Sequence, residues 1–126
     1  MTIDPDSIRF DRYEMVLLRR TVRSREFDEE KEERIFREHA VHTIKQVESG
    51  VQLAAGPVQD APDEEQPICG FGLFRRGSLD EVRKLMDADP GVQQGQYTYD
   101  VMTWLTRKGN MEFPGASPGG LGGEGD

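Results

Sequence analysis

Two histidines and one aspartate are the residues of this 126-residue chain best suited to moving protons. His39 and His42 are its only histidines, three positions apart in Glu38-His39-Ala40-Val41-His42. Asp89 stands between Ala88 and Pro90, one step beyond a run with helical periodicity. Imidazole titrates near neutral pH, so it can take a proton and return it. A buried carboxylate can orient the ring, fix its tautomer and stabilise the imidazolium that forms. Brought into one pocket, the pair suits abstraction of a proton beside a carbonyl, followed by elimination or isomerisation. His39 is then the base or acid and Asp89 its partner. The reverse assignment, with a desolvated Asp89 as base, stays open. A structural reading stays open too, in which Asp89 caps the turn after Pro90 and His39 is a satisfied histidine at the core edge.

Other chemistries fit the pattern less well. A metal shared by His39 and His42 needs a third ligand from elsewhere, and no metal or cofactor is expected. Cys69 falls in the middle of a strand, where a lone cysteine behaves as a small buried hydrophobe rather than a nucleophile. Tyr97, Tyr99 and Trp104 read as core or interface groups, with one tyrosine able to donate to a substrate carbonyl.

The elements that must position these residues follow from periodicity. Residues 13–20 form a first strand with apolar groups on both faces. Asp28-Glu29-Glu30 opens a helix with acids at the positive end of its dipole, and Gly50 is a natural left-handed stop. At helical spacing Phe36, Ala40, Thr43, Ile44 and Val47 share one apolar face. His39 falls on the margin of that face and His42 further round, toward solvent. Residues 51–55 form a short second strand ended by Gly56-Pro57. The polar stretch 58–67 is a loop, long enough for a flap though more simply inert. Residues 68–74 form the third strand, its glycines leaving room for a close neighbour. Ser78 with Glu81 is a capping box opening a second helix, whose stripe of Leu79, Val82, Leu85 and Met86 extends to Asp89 at the helix C-terminus. A turn over 91–95 leads into a fourth strand, 96–106. Residues 1–12 read as an arm, 13–108 as the domain and 109–126 as a flexible glycine-rich tail.

Composition narrows the partners. A net charge of −8 argues against nucleic acid and anionic membrane surfaces. No apolar run approaches the ~20 residues needed to span a bilayer, and the acidic N-terminus does not read as a secretory signal. The single cysteine excludes an intrachain disulfide and fits a reducing cytoplasm. The basic pairs Arg19-Arg20 and Arg75-Arg76 read first as edge charge that blunts strand aggregation, and second as anchors for an anionic substrate at a pocket rim.

Strand, helix, strand, strand, helix, strand is the ferredoxin-like βαββαβ order of an α+β fold, an antiparallel sheet with both helices on one face. Two helices cover one face only. Leu17 and Leu18, Phe71 and Phe74, and Tyr99 and Trp104 nevertheless place large apolar groups on both. The simplest cover for the open face is a second copy, sheet against sheet, giving a homodimer.

The chain at this point resembles the YCII-related (YciI-like) family of dimeric α+β barrels. The likeness spans roughly residues 13–105. It rests on His39 eleven positions before Gly50, then Ala55-Gly56-Pro57, Ser78-Leu79-Asp80-Glu81, Ala88-Asp89-Pro90 and Gly95. The resemblance implies a ferredoxin-like protomer whose sheets pack into a dimeric barrel. It also implies a pocket holding a histidine and an aspartate as active-site groups, which here fall on His39 and Asp89. Similar proteins include a dehydrochlorinase of chlorinated hydroxyquinols; the wider superfamily includes muconolactone isomerases, monooxygenases and ligand-binding modules. Around the pocket the candidate substrate contacts are Arg19, Gly56, Pro57, Tyr97 and Tyr99. The leading expectation is a cofactor-independent lyase or isomerase acting on a small, oxygenated, cyclic metabolite. A non-catalytic dimer binding a small molecule or a partner protein, and a cofactor-free monooxygenase, are the alternatives.

Overall fold

The computed structural model describes residues 3–113 except residue 76. Its main elements are β1 (Phe10–Arg20), α1 (Glu29–Glu48), β2 (Gln52–Pro57), β3 (Ile68–Phe74), α2 (Leu79–Asp87), a short α3 (Pro90–Gln93) and β4 (Tyr97–Arg107). The four strands form one antiparallel sheet in the order β2-β3-β1-β4, the ferredoxin-like arrangement.

The helix ends follow local chemistry. Asp28 caps α1, its carboxylate accepting from the Lys31 N–H at 2.8 Å, and three glutamates occupy the first turn. Gly50 takes a φ of 83° just past the helix, a conformation that costs a residue without Cβ nothing. At α2 both halves of the capping box form: Ser78 Oγ accepts from the Glu81 N–H, and Glu81 accepts from the Ser78 N–H.

Strand alternation divides the sheet into two faces. Glu14, Val16, Leu18 and Arg20 of β1 share one face with Phe74, Gly72 and Gly70 of β3 and with Tyr97, Tyr99 and Val101 of β4. Val16, Leu18, Phe74 and Tyr97 on this face join Val82 and Met86 of α2 in the core. On the opposite face lie Tyr13, Met15, Leu17, Phe71, Leu73, Met102 and Trp104.

Several boundaries depart from expectation for physical reasons. Strand β1 takes in residues 10–12, assigned above to a lead-in arm, because Phe10 to Arg12 pair with Arg107 to Leu105. Strand β2 includes Gly56 and Pro57; it lies at the sheet edge, where proline's missing N–H leaves no gap in the ladder. The expected turn over 91–95 holds α3, with Pro90 in its first turn. Within the expected tail, the Gly109 N–H reaches Asp11 and the Phe113 ring packs edge-on to Tyr13 at 5.6 Å, while residues 114–126 lie outside the described residues.

The largest departure concerns α1. It packs on β2 and α3 and stands off from β1 and β3. Its buried positions are Ile35 and Gln46, whereas Phe36 and Ile44 remain 48% and 53% exposed. The apolar edge expected to seat on the sheet instead overhangs a cleft.

Candidate active site

That cleft lies between α1 and the helix-facing side of the sheet, with a volume of about 430 Å³. Its floor is Val16, Leu18, Gly70 and Gly72; its overhanging wall is Phe36, His39, Ala40, Thr43 and Ile44. The two glycines of β3 keep the floor low, and Gly72 has a second task. A Cβ there would lie 2.4 Å from Gln52 Nε2, so a side chain at this position would displace the Gln52 amide. Because α1 runs antiparallel to β1, Arg20 marks one end of the trough, and Gln46 and Gln52 mark the other. Val16 and Arg20 are four residue steps apart on β1, a length of about 13 Å.

His39 reaches the cleft from α1 with its side chain 15% exposed. Asp89 lies behind it, 1% exposed. His39 Nδ1 is 2.5 Å from Asp89 Oδ2. An ionised carboxylate only accepts, so the ring nitrogen on that side carries the proton. The other ring nitrogen, Nε2, has no partner among the described residues. The ring is held sideways by Tyr97, whose centroid is 5.0 Å away.

Asp89 serves two partners at once. Its Oδ1 accepts from the Gly91 N–H at 2.7 Å, capping α3, while Oδ2 faces His39. The sequence places Asp89 at the C-terminus of α2, where the helix dipole opposes a negative charge. In the structure α2 has already ended at Asp87, and Asp89 is the N-cap of α3, where the dipole favours it. The capping role and the histidine contact, set apart above as competing readings, coexist on the two oxygens of one carboxylate.

The expected substrate contacts divide. Gly56, Pro57 and Tyr97 line the cleft. Arg19 does not. It lies on the opposite sheet face, where its guanidinium donates to Asp100 at 2.8 Å, to the Gln66 carbonyl at 2.9 Å and to Glu64 at 3.3 Å, and so ties down the 58–67 loop. The neighbouring Arg20 has the correct strand parity and lines the cleft. Tyr99 is on the right face but sits beneath α2, donating to Asp87 Oδ1 at 2.7 Å. Burial, with that hydrogen bond and the Asp87 charge, pushes Tyr99 up to about 12. His42 is not turned to solvent: its Nε2 donates to the Leu85 carbonyl at 3.1 Å and joins α1 to α2. The two histidines thus engage different partners. Among the described residues no three or more His, Cys, Asp or Glu side chains converge on a metal position.

Gln46 and Gln52 were not among the expected site residues. Gln46 Nε2 donates to Gln52 Oε1 at 3.3 Å, and Gln46 Oε1, fully buried, has no partner. Their positions on the apolar side of α1 and at the first residue of β2 were the available signal. Cys69 also lines the cleft; burial pushes its thiol up to about 11, with the positive charge of Arg20 opposing. Burial likewise raises Tyr97, which therefore keeps its proton at neutral pH.

The YCII-related domain matches residues 15–105. No curated protein matches the sequence. Among solved structures, 5-chloro-2-hydroxyhydroquinone dehydrochlorinase from Burkholderia phenoliruptrix AC1100, in complex with 2,5-dihydroxybenzoquinone, is 18% identical. The match covers 71% of this chain and 92% of that one, with a TM-score of 0.50. At that identity the likeness speaks for the fold.

The raised Cys69 thiol sets a reactivity test. At any pH below about 9 the thiolate fraction of Cys69 is about 100-fold below that of an ordinary thiol. Native protein is therefore expected to resist iodoacetamide at neutral pH, with labelling rising about tenfold per pH unit toward 11. The urea-unfolded chain is expected to label readily. Fast native labelling at neutral pH would mark an activated thiol and reopen Cys69 as a nucleophile.

Proposed function

This chain belongs to the YCII-related family, and on that premise we propose that it is a small-molecule enzyme using His39 and Asp89 for cofactor-independent proton transfer, as a lyase or isomerase. The observation that carries the reading is the hydrogen bond from His39 Nδ1 to a fully buried Asp89, in a histidine that lines the cleft and whose Nε2 has no partner among the described residues. A volume of about 430 Å³ falls in the small-molecule range and suits a single-ring compound. The apolar walls fit a cyclic body, and the few polar groups fit oxygen substituents.

The chemistry follows from the free nitrogen. His39 Nε2 takes a proton from a carbon beside a carbonyl. The C–H electron pair becomes the new C=C bond, and the carbonyl π electrons move to oxygen, giving an enolate. As the enolate collapses, it either expels an anionic leaving group from the next carbon or accepts a proton from the imidazolium at another position. The first outcome is elimination, the second isomerisation; neither needs an oxidant. Asp89 holds the ring and stabilises its positive charge while the proton resides there. The dehydrochlorinase of the same fold, described with a dihydroxybenzoquinone, supports this reaction type and ligand class.

The reading includes a homodimer through the open sheet face. Helices cover only the other face, and Phe71 and Met102 on the open side are exposed in the single chain. Sedimentation of dilute protein is expected to give the mass of two chains, and a stable monomer would contradict this part of the proposal.

Catalysis is testable by solvent-deuterium exchange into cyclic, enolisable hydroxyketones, followed by NMR. The wild type is expected to accelerate exchange, and His39→Ala to lose roughly 10²- to 10⁴-fold of that rate while keeping its circular dichroism. Asp89→Asn is expected to lose it as well. An asparagine N–H facing the ring would move the proton to Nε2. Exchange unchanged in His39→Ala would contradict the assignment of the base. Absence of exchange with every compound in the wild type would favour the ligand-binding reading.

A further inference from the structure

Building on His39 as the base, we propose that Arg20 holds the anionic oxygen of the ligand, so that the cleft selects compounds with an acidic enol, phenol or carboxylate oxygen. Apart from His39, Arg20 is the one side chain with a charge among the described residues lining the cleft. Its partner across the β1–β4 ladder is Tyr97, whose ring centroid lies 5.0 Å from that of His39. Arg20 and His39 therefore both neighbour Tyr97 in the lining of the cleft.

The guanidinium is positioned rather than loose. Its Nε and Nη2 each lie 3.4 Å from Ser24 Oγ, and Nη2 also meets Glu32 of α1. Ser24 is itself fixed, its hydroxyl donating to the Thr21 carbonyl at 2.6 Å. These contacts engage one edge of the planar fork. Nη1, with its two N–H groups, has no partner among the described residues. A guanidinium is always charged and offers its donors in a fixed plane, which matches an enolate, phenolate or carboxylate. Proton removal by His39 puts negative charge on oxygen, and a preorganised donor stabilises such charge strongly. Loss of one such donor typically lowers kcat by about 10²- to 10³-fold. The ligand class follows from the same placement, because in a chain of net charge −8 the described lining of the cleft holds this one guanidinium and no carboxylate.

The competing explanation is that Arg20 only pairs with Glu32 to fasten β1 to α1. Binding of two probes separates them: 2,5-dihydroxybenzoquinone, an anionic vinylogous acid at neutral pH, and its neutral dimethyl ether. Wild type is expected to bind the anion roughly 10- to 100-fold more tightly than the ether. Arg20→Gln is expected to bring that ratio near one, and Glu32→Gln to preserve it. Should Arg20→Gln fail to fold, Arg20→Lys carries the test, since the charge stays but the fork is lost and the ratio is expected to fall only in part. The proposal is overturned by a ratio unchanged in Arg20→Gln, by collapse of the ratio in Glu32→Gln, or by a wild type that binds neither probe or both alike. Binding and proton exchange are read separately. Anion preference lost in Arg20→Gln, with no exchange by the wild type, would support the role of Arg20 and contradict His39 as base.

Discussion

The contact between His39 and Asp89 is the constraint on which the site depends. It joins the middle of α1 to the junction of α2 and α3, two parts of the chain 50 residues apart. A carboxylate this deeply buried must have its charge answered by hydrogen bonds. Both oxygens are satisfied, one by the first turn of α3 and one by the ring. The cap fixes the carboxylate and the carboxylate fixes the ring, which leaves Nε2 without a partner among the described residues. Tyr97 packs beside the ring. No step in this chain relies on an exposed ion pair, whose worth would be small and salt-dependent.

The cleft exists because α1 does not lie flat on the sheet. Its anchors are Ile35, the histidine contacts, and Gln46 against Gln52. Between those anchors Phe36 and Ile44 hang over Gly70 and Gly72. Side chains at the two glycines would fill the floor. Polar groups sit at the two ends, Arg20 with His39 and Tyr97 at one and the glutamine pair at the other, with apolar surface between. Under the proposed reading, this distribution suits an apolar body that is acidic at one end and able to hydrogen-bond at the other.

Much of the fold was legible because its signals are local. The capping box at Ser78, the acids opening α1, the stop at Gly50 and the span of β3 each depend on a few neighbouring residues. Helical phase was also enough to bring His39 to the core margin. Three features were not readable in this way. Both faces of β1 are apolar, so alternation gave no reason to prefer Arg20 over Arg19. Tyr99 shares a face with Tyr97, and only the seating of α2 removes it from the cleft. Asp89 could close one helix or open the next. The proline after it, well suited to a first helical position, was the sign that it opens one. The stand-off of α1 is a tertiary outcome with no local signature, and it reversed the exposure expected for Phe36 and Ile44.

The most direct measurement is the tautomer of His39, read by ¹⁵N NMR of the ring in the ligand-free wild type at mildly alkaline pH. If Asp89 fixes the ring, Nδ1 carries the proton and Nε2 shows the shift of a bare, basic nitrogen. A proton on Nε2, or rapid exchange between the two tautomers as in a free imidazole, would mean that the carboxylate does not hold the ring and that His39 is not presented as a base.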